Sequence, residues 1–123
     1  MENDKEKFKT EFKKRIYNWI LKLVRIVDRL PKDNSSKIIS SQLIRSGTSV
    51  GANYIEAQAA SSKKDFVNFL HHSLKSANES KFWIALLRDS EKLDRKESED
   101  LIKELVELSN MLAASIITLK GKK

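Results

Sequence analysis

Gln42-Leu-Ile-Arg45-Ser-Gly47-Thr-Ser49-Val-Gly51-Ala-Asn53-Tyr-Ile-Glu56-Ala-Gln58 decides the fold. Its apolar residues recur at helical spacing, yet it holds two of the three glycines in the chain. A glycine inside a helix costs roughly 0.5–1 kcal/mol relative to alanine. Gly47 and Gly51 are four apart and fall on neighbouring turns, so they clear a strip where another helix or a bulky side chain can approach. Arg45, Ser49, Asn53 and Glu56 follow one another along the same helix at four- and three-residue steps. The stretch predicts a helix built for a specific packing interface.

Outward from it, the chain divides into four amphipathic segments. Phe8, Phe12, Ile16, Trp19, Leu23, Ile26 and Leu30 mark one face of a first helix, which the single proline, Pro31, ends. Asp33, Asn34 and Ser35 offer capping oxygens to the second. Ser62 and Asp65 have the spacing of a capping box and open a third, with Phe66, Phe69, Leu70, Leu74, Ala77, Ile84 and Leu87 on one side. Asp94 and Glu97 repeat that spacing before Leu101, Leu105, Leu108, Leu112, Ile116 and Leu119, and Gly121 is expected to end the fourth helix in a left-handed cap. The helices are expected near residues 5–30, 35–59, 62–91 and 95–119. No stretch alternates with period two or carries a hairpin signal. Short connections make successive helices antiparallel neighbours, so the fold class is all-α, an up-down-up-down four-helix bundle forming one domain over residues 1–123.

Two helices are apolar on more than one side. Ile102, Val106, Ala113 and Ile117 form a second line on helix four. Ile44, Thr48, Gly51 and Ile55 form one on helix two, beside Ile39, Leu43, Val50 and Tyr54. Phe82 and Leu86 point away from the main stripe of helix three. Monomers seldom leave large apolar patches open, so these lines predict either a wide core or contact with further copies of the chain, a homo-oligomer.

Composition narrows the function. The chain has no cysteine, which removes disulfides and thiolate metal sites. Its start is charged and lacks an apolar signal core, and no run is long enough to span a membrane, so a cytoplasmic protein without membrane contact is expected. His71 and His72 are the only histidines. Adjacent helical residues point about 100° apart and cannot converge on one metal. The ligand motifs of di-iron bundles and zinc peptidases are missing, as are a nucleophile elbow and a phosphate-cradling glycine loop. No catalytic residue, metal site or cofactor is therefore expected, and the chain is read as a non-enzyme. Glu56 and Glu79 could be paired acid and base, but they are read as members of a structural network with Arg45, Asn53 and Ser76.

The formal charge is +7, and it is unevenly placed. Residues 1–37 hold 11 Lys/Arg against 6 Asp/Glu, residues 38–90 hold 6 against 4, and residues 91–123 hold 7 against 7. On helix one, Lys7, Lys14, Lys22, Arg25, Arg29 and Lys32 fall within about 80° of one another, with Asn18 among them and Glu11 the one acid in the arc. Lys120, Lys122 and Lys123 are expected to add a mobile basic tail. Segregated like charge suits a phosphate backbone, although an ordinary solvated face has the same composition.

The motif Gln42-Leu-Ile-Arg45-Ser-x-x-Ser49-Val-x-Ala52-Asn53-x-Ile-x-Glu56-Ala57, followed by Lys64-Asp65-Phe66-x-x-Phe69-Leu70 and Ser76-x-x-Glu79, resembles a bacterial family, the four helix bundle proteins. That family includes the proteins encoded in intervening sequences of large-subunit ribosomal RNA genes. The accessory variability protein of diversity-generating retroelements is a more distant relative. The motif covers roughly residues 42–87. Where the family often has Ile-Ala-Glu-Gly, this chain has Tyr54-Ile-Glu56-Ala57, which puts in doubt any role for a glycine there. The resemblance implies a homopentameric ring of four-helix bundles, no known enzymatic activity, and suspected association with RNA or DNA. In the retroelement relative, partners include a reverse transcriptase. By position, Arg45, Ser49, Asn53, Glu56, Ser76 and Glu79 match the family motif, and they join Gly47 and Gly51 as structural or interface positions. Two functional classes follow: an oligomeric scaffold that associates with structured RNA or an RNA–protein complex through a basic outer surface, and a protein-interaction module without nucleic-acid contact.

Overall fold

The structure, a computed structural model, describes residues 3–121. Four helices account for almost all of them: α1 Asp4–Asp28, α2 Asn34–Gln58, α3 Lys63–Asp89 and α4 Arg95–Lys120. Lys122, Lys123 and the tail expected there lie outside the described residues.

Local chemistry sets the ends. Asn3 accepts from the Glu6 amide at 2.8 Å, Ser62 from the Asp65 amide at 3.1 Å, and Asp94 from the Glu97 amide at 3.0 Å. Each satisfies a backbone donor that the first helical turn leaves open. Asp33 precedes α2 without a side-chain cap bond. Its carboxylate instead accepts from Lys92 Nζ at 2.9 Å, tying the α1–α2 loop to the α3–α4 loop. α1 stops before the expected residue 30, because Pro31 bars helical geometry from the residue preceding it. Gly121 closes α4 with φ −75° and not in the left-handed region. Among the described residues the left-handed position is Glu91, at φ 63° in the α3–α4 turn.

The four helices pack in a square. α1 and α3 each lie beside both α2 and α4, and the backbones of the diagonal pairs stay apart among the described residues, leaving room for side chains to meet at the centre. Neighbours run antiparallel, as the pairs Arg15–Glu104 and Arg29–Glu97 show for α1 and α4. Phe12, Ile16, Trp19, Leu23 and Ile26 of α1 meet Leu43, Val50 and Tyr54 of α2, Leu70, Ala77, Ile84 and Leu87 of α3, and the leucine row of α4. Trp19 Nε1 donates to the Leu101 carbonyl at 3.0 Å, so the one buried indole keeps its polar atom satisfied.

Two expectations about burial are corrected and a third is met in part. Phe8 is half exposed and stacks on Phe12, 5.8 Å between ring centroids, at the rim of the core. On α3 the buried line runs through Val67, Ser73 and Ser80, and Phe66, Phe69 and Leu74 are only partly covered. α2 and α3 pack most closely of all the pairs, and small side chains are what let their backbones approach. The second apolar lines of α2 and α4 are split: Ile44 and Ile102 pack against the core, and the rest of their large apolar side chains stay open. Val106 and Ile117 remain 39% and 72% exposed, Ile55 45%, and Phe82 59%.

Candidate functional site

The glycine strip of α2 turns toward α1. A Cβ on Gly47 would collide with Leu23, and one on Gly51 would lie 2.6 Å from Ile20 Cδ1. Both glycines are therefore packing residues, and they set the distance between α1 and α2. Around Gly51 an open groove runs between the two helices, lined by Lys13, Lys14, Tyr17, Ile20, Ala52 and Ile55.

The motif residues of α2 face the other way, toward α3. Ser46 and Ser80 share a hydrogen bond of 2.8 Å in the buried seam, and Ser73 Oγ donates to the Val50 carbonyl at 2.7 Å. Toward the surface, Ser76 Oγ donates to Ser49 Oγ at 3.0 Å. Asn53 Nδ2 donates to the Ser49 carbonyl at 2.9 Å and to Ser49 Oγ at 2.8 Å. One turn further on, Glu79 accepts from Arg45 Nη2 and, at 2.9 Å, from Trp83 Nε1, and Arg45 Nε also donates to Gln42 at 3.2 Å. The structure thus brings together Arg45, Ser49, Asn53, Ser76 and Glu79 on one face. Glu56 stays apart: its side chain is exposed and has no hydrogen bond or ion pair among the described residues.

Ser49, Asn53, Ser76 and Glu79 border a surface groove of about 540 Å³ between α2 and α3, which Phe69, His72 and Lys75 complete. Sequence reasoning missed Ser46, Ser73 and Ser80, the serines that hold this face together. Their signal is in the spacing, since Ser73 and Ser80 fall on the same helical face as Ala77 and Ile84.

The basic row of α1 runs along its outer face, from Lys14 at the α1–α2 groove to Arg29 beside α4. Lys7, Lys14, Lys22 and Arg25 are exposed and make no ion pair among the described residues. Arg29 is different, because it binds Glu97 of α4 at 2.8 Å. Lys32 lies beyond the helix, where its ammonium approaches the Asp28 carbonyl at 3.4 Å. Nearby, Arg15 forms a two-pronged contact with Glu104, at 2.6 and 3.1 Å, and this contact raises the guanidinium pKa further. The acids of α4 thus neutralise one edge of the row. No group of three His, Asp or Glu side chains among the described residues is placed to hold a metal ion. No described helix is long and apolar enough to cross a membrane.

Residues 9–114 match the 23S rRNA-intervening sequence protein family. A solved structure from Bacteroides thetaiotaomicron, a protein of unknown function from the S23 ribosomal protein family, shares 33% identity and superposes with a TM-score of 0.80. The match covers 85% of this chain and 97% of that one. No curated protein matches the chain. With the four-helix architecture and a match over most of its length, the chain belongs to the 23S rRNA-intervening sequence protein family.

Proposed function

We propose that the chain is the subunit of a non-enzymatic homo-oligomeric scaffold, a ring of five copies in the cytoplasm, that associates with structured RNA or an RNA–protein complex. The observation that carries the nucleic-acid part is the row of Lys7, Lys14, Lys22 and Arg25, exposed along one edge of α1 and free of ion pairs among the described residues. Cations spaced along one face of a helix suit a phosphate backbone, and each neutralised phosphate releases counterions. The family name links its members to 23S rRNA, which makes RNA the first polyanion to test. A nucleic-acid enzyme such as a reverse transcriptase is a fitting partner in such a complex.

The assembly part rests on where apolar surface remains. Tyr17, 66% exposed, and Ile55 border the α1–α2 groove. Val106 and Ile117 lie roughly 120–160° around α4 from Glu104 and Met111, which reach α1. The two patches therefore sit on opposite sides of the bundle. Opposite patches on one subunit favour head-to-tail contacts, which close into a ring when the rotation permits.

The deciding experiment is a salt titration of binding to RNA, duplex DNA and heparin. Tight RNA binding with a steep salt slope supports the proposal. Absence of RNA binding at low salt overturns it and favours the second reading, a protein-interaction module, for which the exposed Phe82, Val106 and Ile117 speak.

A further inference from the structure

The α2–α3 groove has an unusual hydrogen-bond balance. Asn53 Nδ2 is committed to Ser49, at the carbonyl and at Oγ. Ser49 Oγ also accepts from Ser76, so both of its lone pairs are used. What remains is the Ser49 hydroxyl proton and the Asn53 Oδ1, neither with a partner among the described residues. A donor and an acceptor are thus presented side by side, held in place by their own network. At one end of the groove Phe69 and His72 form an edge-to-face pair, 6.4 Å between centroids, with His72 exposed. Lys75 lines the same groove and is exposed without an ion pair among the described residues, whereas the charge of Glu79 is answered by Arg45.

The geometry points to a binding site for one unpaired nucleobase of a single-stranded nucleic acid, its base edge on Ser49 and Asn53, its face against His72, and its phosphate near Lys75. Every nucleobase carries an adjacent donor and acceptor on its pairing edge, and in a duplex that edge is occupied. A groove of about 540 Å³ has room for a base and its sugar. Aromatic faces and cations together are the usual elements of single-strand binding. This inference rests on the nucleic-acid reading above but assigns it a second surface, since the basic row lies on α1 and the groove is lined by α2 and α3 alone. The α1 row tracks backbone charge, and the groove selects strands whose bases are free.

The test is fluorescence anisotropy with three labelled probes of equal length at fixed salt: a single-stranded RNA, the same RNA in a duplex, and an abasic backbone of the same charge. The wild type should bind the base-bearing single strand at least about 5-fold more tightly than the abasic backbone or the duplex. Ser49→Ala and Asn53→Ala should bring that ratio close to one while leaving abasic binding unchanged. Lys75→Gln should weaken binding of the single strand most, because its phosphate is the one placed beside Lys75. Thermal melting checks that the two groove variants fold, and the exposed His72→Ala, which leaves the network intact, should also reduce the ratio. Equal binding of all three probes by the wild type overturns the inference while leaving the scaffold reading in place, as does a preference that Ser49→Ala, Asn53→Ala and His72→Ala all retain. No binding of any probe at low salt overturns both.

Discussion

Leu23 closes over the α-carbon of Gly47 and leaves no space for a β-carbon between them. Leu23 is completely buried, so it cannot swing into solvent to make room. Gly51 faces Ile20, which is only partly covered and borders the open α1–α2 groove. The two glycines should therefore respond differently to the same substitution. Gly47→Ala should destabilise the fold by about 1–2 kcal/mol, the overpacking cost exceeding the gain in helix propensity. Gly51→Ala should lie within about 0.5 kcal/mol of wild type, because Ile20 can rotate outward. Urea denaturation of the two variants checks this, and equal losses would place the constraint elsewhere.

The glycine spacing was legible because a glycine in a helix is costly and so carries information. The serines were not, because a buried serine looks like any helical surface residue until its neighbour is known. Ser46 and Ser80 are separated by 34 residues and meet only once α2 and α3 are antiparallel. Helix existence followed from apolar periodicity. Helix ends and the second apolar lines depended on tertiary contacts that periodicity does not encode. The α2 half of the motif groove could be traced in the spacing of Arg45, Ser49 and Asn53. The exclusion of Glu56 could not, since it depends on which part of α3 lies opposite.

Ser109 offers a second stability test. Its hydroxyl is buried in α4 and has no hydrogen-bond partner among the described residues. A buried unpaired hydroxyl costs desolvation without compensation. Ser109→Ala removes that group and improves helix propensity. A gain of about 0.5–1.5 kcal/mol is expected in chemical denaturation, and a loss would mean that the hydroxyl has a role in the assembled protein.

Tyr54 gives the bundle an alkaline limit. The ring is 4% exposed and meets Phe12 edge-on at 5.0 Å. Burial pushes its hydroxyl up from 10.0 to about 12, because the phenolate would be poorly solvated there. The folded pKa lies above the unfolded one, so the stabilising difference is fully present below pH 10 and is lost as the pH rises through about 12. Two units correspond to roughly 3 kcal/mol at most. Tyr54→Phe should match wild type at neutral pH and lose less stability between pH 10 and 12, as measured by denaturation at stepped pH.

The basic row of α1 is best tested without Arg29, because a glutamate there would face Glu97 and perturb the α1–α4 contact. Lys14, Lys22 and Arg25 have no such partner among the described residues. Changing these three to Glu should weaken RNA binding and make the slope of log affinity against log salt shallower by about 2–3, as expected for three lost phosphate contacts. Circular dichroism should show unchanged helix content. An unaltered slope would remove α1 as the phosphate-tracking surface.

Assembly and fold should separate at Ile117. This residue is 72% exposed, near the end of α4, and the buried core does not include it. A charge there is harmless to a lone bundle, since the side chain already faces water. In a ring whose subunits meet through the α4 patch, the same charge would be buried without a partner, at a cost of several kcal/mol per contact. Ile117→Lys should therefore leave the thermal unfolding of the isolated subunit nearly unchanged and shift sedimentation from oligomer to monomer. Val106→Lys, one exposed position along the same side of α4, should do the same. A wild type that sediments as a monomer at micromolar concentration would refute the ring. Intact oligomers in both variants would refute only the α4 patch, and would turn attention to Phe82 and Leu86 on α3 as the apolar residues that meet a neighbouring copy.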